Sequence, residues 1–150
     1  MLTKRDLTPG PGTVGGLLAI EGMHCLGDSV ELIEILHHLG VRSGMLTWND
    51  RNALADGAMS QEAKGGLSAA GKRFVQRMQE LHWLIDCSHL GDSAFWSLLE
   101  ATEGPVIASH SNARAVRDHV RNLTDEQIRA LAERGGMLGM NFASAFIVDG

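Results

Sequence analysis

Cysteine is scarce in this 150-residue chain: Cys25 and Cys87 are the two present. Two thiols make no disulfide framework, and no Cys-x-x-Cys pair is available to hold a structural zinc, so both read as reduced thiols. Basic charge is equally thin. Lys and Arg number 13 against 18 Asp and Glu, a formal charge of -5. The basic residues are scattered, which excludes the positive footprint of a nucleic-acid binder. No apolar run approaches the roughly 18 residues of a membrane span. Met1 to Gly16 lack the apolar stretch of a secretory signal, so a cytoplasmic location is expected. Low-complexity sequence is sparse too. What remains is an apolar fraction of 44% and a charged fraction of 21%, the composition of a globular domain with a real core.

Residues 1–14 carry Pro and Gly without periodicity and read as an N-terminal loop. Within them Gly10-Pro11-Gly12-Thr13-Val14-Gly15 matches G-x-G-x-x-G as text. A dinucleotide fingerprint must follow a strand and open a helix. This one precedes a strand, and Pro11 lacks an amide to donate, so it is discounted.

From residue 15 to 150 short apolar runs alternate with helical patterns. Strands are expected at 16–21, 42–47, 83–88, 105–109 and 137–142. Helices are expected at 28–39, 68–82, 92–101 and after Thr124. In the first helix Leu32, Leu36 and Leu39 share a face and Asp28 is placed to cap. Ser68 is the candidate cap of the second. Thr124-Asp125-Glu126-Gln127 forms a capping box for the last. Residues 49–66 and 111–122 read as polar loops. Strict βα alternation argues for a parallel sheet. Periodicity leaves a doubly wound sheet and part of a closed (β/α)8 barrel both open, and five strands would leave a barrel with two unpaired edges.

The strand ends carry the chemistry. Ile85-Asp86-Cys87-Ser88-His89 and Val106-Ile107-Ala108-Ser109-His110 are near-repeats, each an apolar run closing on Ser-His. Leu17-Leu18-Ala19-Ile20-Glu21 closes on a carboxylate. Residues at the C-terminal tips of parallel strands face the reaction site. His89 and His110 lie 21 residues apart, one βα unit, and imidazole with carboxylate is a donor set that suits zinc and its borderline-soft relatives. Asn49, Asp50, Asn52, Asp56 and Asn141 are expected on the same rim. Ser88 and Ser109 are expected to hydrogen-bond near the imidazoles. Asp86 either orients an imidazole or pairs with a neighbouring strand. No G-x-S-x-G elbow supports a serine nucleophile. Arg121, near Arg114 and Arg117, reads either as part of a solvated basic loop or as a bidentate clamp for a substrate carboxylate.

These residues resemble the membrane (renal) dipeptidase family of zinc peptidases. The resemblance rests on Ala19-Ile20-Glu21-Gly22-Met23-His24, Leu46-Thr47-Trp48-Asn49, Gly66-Leu67-Ser68, the two Ser-His phrases, Ser111-Asn112-Ala113-Arg114 and Arg121-Asn122, in family order. It implies an α/β fold of the metallo-dependent hydrolase type, a partial (β/α)8 TIM-type barrel comprising roughly strands 3–7 of the usual eight. It implies two zinc ions in the complete enzyme and one partial site here. Glu21 matches the carboxylate bridging both metals and carries the catalytic role, and His89 and His110 match two histidines on one metal. Arg121 matches the arginine that binds the substrate's terminal carboxylate. Trp48 stands where better-known members have a substrate-contacting histidine.

The family's opening His-x-Asp pair and its late proton-transferring aspartate have no counterpart among these residues. The expectation is therefore a dipeptide-hydrolysing metallopeptidase present as a fragment, inactive alone, with open edges that favour a homodimer. A non-catalytic half-barrel that binds a metal or a partner protein is one alternative. Another barrel hydrolase acting on cyclic amides or lactones is a second.

Overall fold

The computed structural model describes residues 10–60 and 62–148; the first nine residues of the expected N-terminal loop, and positions 149 and 150, lie outside that range. Five strands alternate with four helices: β1 (Leu18–Ile20), α1 (Leu32–His38), β2 (Val41–Met45), α2 (Ala69–Glu80), β3 (Leu84–Asp86), α3 (Asp92–Ala101), β4 (Ile107–Ser111), α4 (Asp125–Glu133) and β5 (Met137–Met140). All neighbours pair in parallel, and the strand order is β1-β2-β3-β4-β5. A doubly wound sheet reverses its order at a switch point. Here the order never reverses, so crossovers of one hand stack every helix on the same face. That is the arc of a barrel wall.

Local chemistry explains most of the elements. In α2, Gly71, Phe74, Val75 and Met78 are buried, a spacing that lines one helical face. The Ser68 side chain accepts from the Gly71 amide at 3.0 Å, satisfying one of the free amides of the first turn. The capping box of α4 is complete: Thr124 Oγ1 accepts from the Gln127 amide and Gln127 Oε1 from the Thr124 amide. Phe74, Val75 and Met78 meet Phe95 and Leu98 of α3, Leu131 of α4 and Ile85, Cys87, Val106 and Ala108 of the sheet in one apolar core.

Two expectations need correction. The first helix runs from Leu32 rather than residue 28, and no side chain caps it. A short 3-10 turn over Met23–Leu26 and a left-handed Gly27 occupy the chain before it. Ile33 is the fully buried residue of this helix, while Leu39 lies beyond its end and is exposed. Strand β4 is displaced towards the C-terminus, covering 107–111 instead of 105–109. Its register against β5 shifts between Ala108 and Ser111. A bulge of this kind re-aims side chains, and His110 sits inside it.

Among the described residues β1 and β5 each pair on one side only. Leu18, Met137, Met140 and Phe142 are exposed along those edges.

Candidate metal centre

Glu21 follows the last residue of β1, His89 lies three residues past β3, and His110 sits in the bulge of β4. The chain leaves β3 through a short turn in which His89 takes φ of 70°. Left-handed backbone at a non-glycine residue costs on the order of 1 kcal/mol or more and persists only where surroundings hold it. Here the His89 carbonyl accepts from the Ala58 amide at 2.8 Å and from Thr47 Oγ1 at 3.2 Å.

This geometry brings three donor atoms together. His89 Nε2 lies 2.9 Å from His110 Nε2 and 3.0 Å from Glu21 Oε1, and His110 Nε2 is 3.4 Å from the same carboxylate oxygen. Glu21, His89 and His110 form a group able to hold a metal ion among the described residues. Ligand bonds of about 2.0–2.1 Å, as zinc makes to nitrogen and oxygen, separate adjacent donors by about 2.9 Å at right angles and about 3.4 Å at tetrahedral angles. The observed spacings fall within that window.

On its other side the His89 ring meets the β2–α2 loop: Nδ1 is 2.9 Å from Asn49 Oδ1, an oxygen that accepts hydrogen bonds. Burial, then the nearby Arg121 charge and His110, push the His89 pKa down to about 3. The shift favours the uncharged imidazole, and its Nε2 faces the Glu21 carboxylate oxygen 3.0 Å away.

The remaining rim residues divide. Ser109 Oγ meets His110 Nδ1 at 2.8 Å, and Ser88 Oγ accepts from the His110 amide. Asp86 orients no imidazole; its Oδ1 accepts from the amides of Ser88 and Ser109, tying two strand ends together. Asn52 and Asp56 are consumed within their own loop. Asn52 bonds Leu46, Leu54 and Ala55 backbone groups, and Asp56 pairs with Arg51 and accepts from the Gly66 amide. Asn141 meets Asn112 through its backbone.

Trp48 stacks against His89 with ring centroids 6.0 Å apart and planes 29° apart, half in solvent. It also lines a cavity of about 260 Å³ with His24, Asn49, Asp50, Arg51 and Asn52. Arg121 is no solvated loop residue: it is 4% exposed. Nη2 donates to the His110 carbonyl at 3.3 Å, the Phe146 ring lies 5.9 Å away, and Nε is buried without a partner. Burial lowers its pKa, opposed by the Asp86 and Glu21 carboxylates. A buried, fork-shaped cation with an unspent N–H is suited to a planar anion. Neither the Phe146–Arg121 contact nor the Asn49–His89 contact leaves a local signal in the sequence, because both join residues far apart in the chain.

A model of the membrane dipeptidase family (peptidase family M19) matches residues 6–149. Dipeptidase aclJ of Aspergillus oryzae is 36% identical over 129 residues, covering 85% of this chain and 31% of that protein. An uncharacterized protein in the PQQ-III 3' region of Acinetobacter calcoaceticus is 34% identical over 136 residues, covering 87% and 43%. Among solved structures, a metallo peptidase from Rhodobacter sphaeroides, liganded with a phosphinate mimic of the dipeptide L-Ala-D-Ala, superposes with a TM-score of 0.80. It is 33% identical, and the match covers 87% of this chain and 39% of that one. The chain thus spans less than half the length of these relatives.

Proposed function

This chain belongs to the membrane dipeptidase family, peptidase family M19, and from that membership we propose that it supplies part of a zinc centre that hydrolyses dipeptides. The observation that carries the proposal is the convergence of Glu21, His89 and His110 from three strand ends to donor spacings of 2.9–3.4 Å. The reading is supported by the fold type, since barrel enzymes carry their reaction sites at the C-terminal ends of the strands, the ends from which these three residues come.

Zinc held there would lower the pKa of a coordinated water and polarise the scissile carbonyl. The protein's own groups do the rest. Glu21 presents its carboxylate to the centre while His89 and His110 present their Nε2 atoms. Arg121 binds the C-terminal carboxylate of the substrate, held in plane by the His110 carbonyl and the Phe146 ring. A carboxylate anchored so near the centre limits the substrate to short peptides. Trp48 covers one face of His89 and shields the reacting bond from bulk water. With three such donors assembled, the 150 residues alone are proposed to hydrolyse dipeptides weakly or not at all. Activity needs the strands that complete the barrel and the second metal site.

In the native polypeptide His89→Ala and His110→Ala should each remove zinc and abolish dipeptide hydrolysis. Unchanged zinc content and turnover in both variants would refute the proposal.

A further inference from the structure

The loop between β2 and α2 makes contacts that the metal donors alone do not explain. Asn49, its first polar residue after Trp48, directs Oδ1 at His89 Nδ1 from 40 positions away in sequence, at 2.9 Å. The same loop reaches the His89 backbone, where the Ala58 amide bonds the His89 carbonyl. Asn49 is itself pinned: its carbonyl accepts from the Met59 amide at 2.9 Å. Gly57 packs so closely on that carbonyl that a Cβ at position 57 would collide with it. Asp56, 1% exposed, anchors the loop through Arg51 and the Gly66 amide.

The two histidines are served differently. His110 Nδ1 meets Ser109 Oγ, a hydroxyl that can donate or accept and so tolerates either tautomer. His89 Nδ1 meets an amide oxygen, which tolerates only one. We propose that Asn49 is a positioning residue: it fixes His89 in the Nδ1–H tautomer, so that the Nε2 lone pair points at Glu21 and His110. The β2–α2 loop is then a strap around His89, holding its ring through Asn49 and its left-handed backbone through Ala58. Side-chain partners of this kind set ligand orientation and basicity, and their loss commonly weakens metal binding by about 10–100-fold.

The part of this inference that concerns metal affinity rests on the zinc reading above; the tautomer does not. The test is therefore two measurements on the same variants. Long-range proton–nitrogen correlation spectra of the metal-free protein report which His89 nitrogen is protonated. Competition with a chromophoric chelator reports the zinc dissociation constant. Wild type should show Nδ1–H. Asn49→Ala should lose that preference and bind zinc roughly tenfold or more weakly. Asn49→Asp, which keeps an acceptor oxygen in place, should restore both. An Nε2–H tautomer in wild type, an unchanged tautomer in Asn49→Ala, or Asn49→Asp behaving like alanine would overturn the proposal. If Asn49→Ala fails to fold, the wild-type tautomer and Asn49→Asp still decide it. A wild-type protein with the Nδ1–H tautomer but no zinc affinity would sink the proposed function and leave the role of Asn49 standing.

Discussion

Nε2 of His89 and Oε1 of Glu21 stand 3.0 Å apart, and His110 Nε2 lies 2.9 Å from the same His89 nitrogen. The pair connects the end of β3 to the end of β1, with β2 between them, so the sheet must curl to bring them together. The curl brings Glu21, His89 and His110 into one group with the spacing to hold a metal ion.

Arg121 should govern how the substrate's carboxylate is held. Arg121→Lys keeps the charge but loses the fork. Hydrogen bonds to charged groups contribute about 1.5–3 kcal/mol, so kcat/KM of the native polypeptide for dipeptides should fall roughly 10- to 150-fold. Dipeptides capped as C-terminal amides should show little difference between the two proteins. Equal losses on both substrates would assign Arg121 a purely structural role.

The Asp92–Arg114 pair gives a pH dependence of defined sign. Both guanidinium Nη atoms bond the Asp92 carboxylate, at 2.8 and 2.9 Å. Arg114 thereby holds the Asp92 pKa below its ordinary value, against partial burial. A carboxylate depressed in the folded state stabilises the protein above its unfolded pKa, and the contribution is lost as pH falls through the folded value. The pair is half exposed, so solvent screening limits the effect to about 0.5–1 kcal/mol. Urea unfolding between pH 7 and pH 3 should show a shallower acid decline for Asp92→Asn than for wild type.

The two thiols should differ sharply in reactivity. Cys25 is exposed and Cys87 is buried in the core, where burial and the neighbouring Asp86 push its pKa up. The thiolate is the nucleophile, so a thiol reagent should titrate one cysteine in the folded protein and two in denaturant. Rapid labelling of Cys87 under native conditions would contradict the packing described here.

Much of this architecture is legible in the sequence because it depends on local patterns. Helix α3 falls on the expected 92–101, α2 begins at its expected serine cap, and the capping box opens α4. The strand order follows from βα alternation once the sheet is known not to reverse. Legibility ends where contacts are long-range. The charge pattern around Arg121 describes a solvated loop equally well, because its burial is made by Phe146 and by the end of β4. Asp28 has the chemistry of a helix cap, but the Met23–Leu26 turn takes the place of the first helical turn. Asn49 looks like any polar loop residue until residue 89 is brought beside it.

Metal titration of the 150-residue chain, followed by cobalt absorption and by zinc competition, tests the central claim most directly. Wild type should bind one equivalent tightly, with ligand-field bands of nitrogen and oxygen donors. His89→Ala and Glu21→Gln should each lose that binding while keeping the far-ultraviolet circular dichroism of the fold. Wild-type-like affinity in either variant, or no saturable binding in wild type, would contradict a metal centre built from Glu21, His89 and His110.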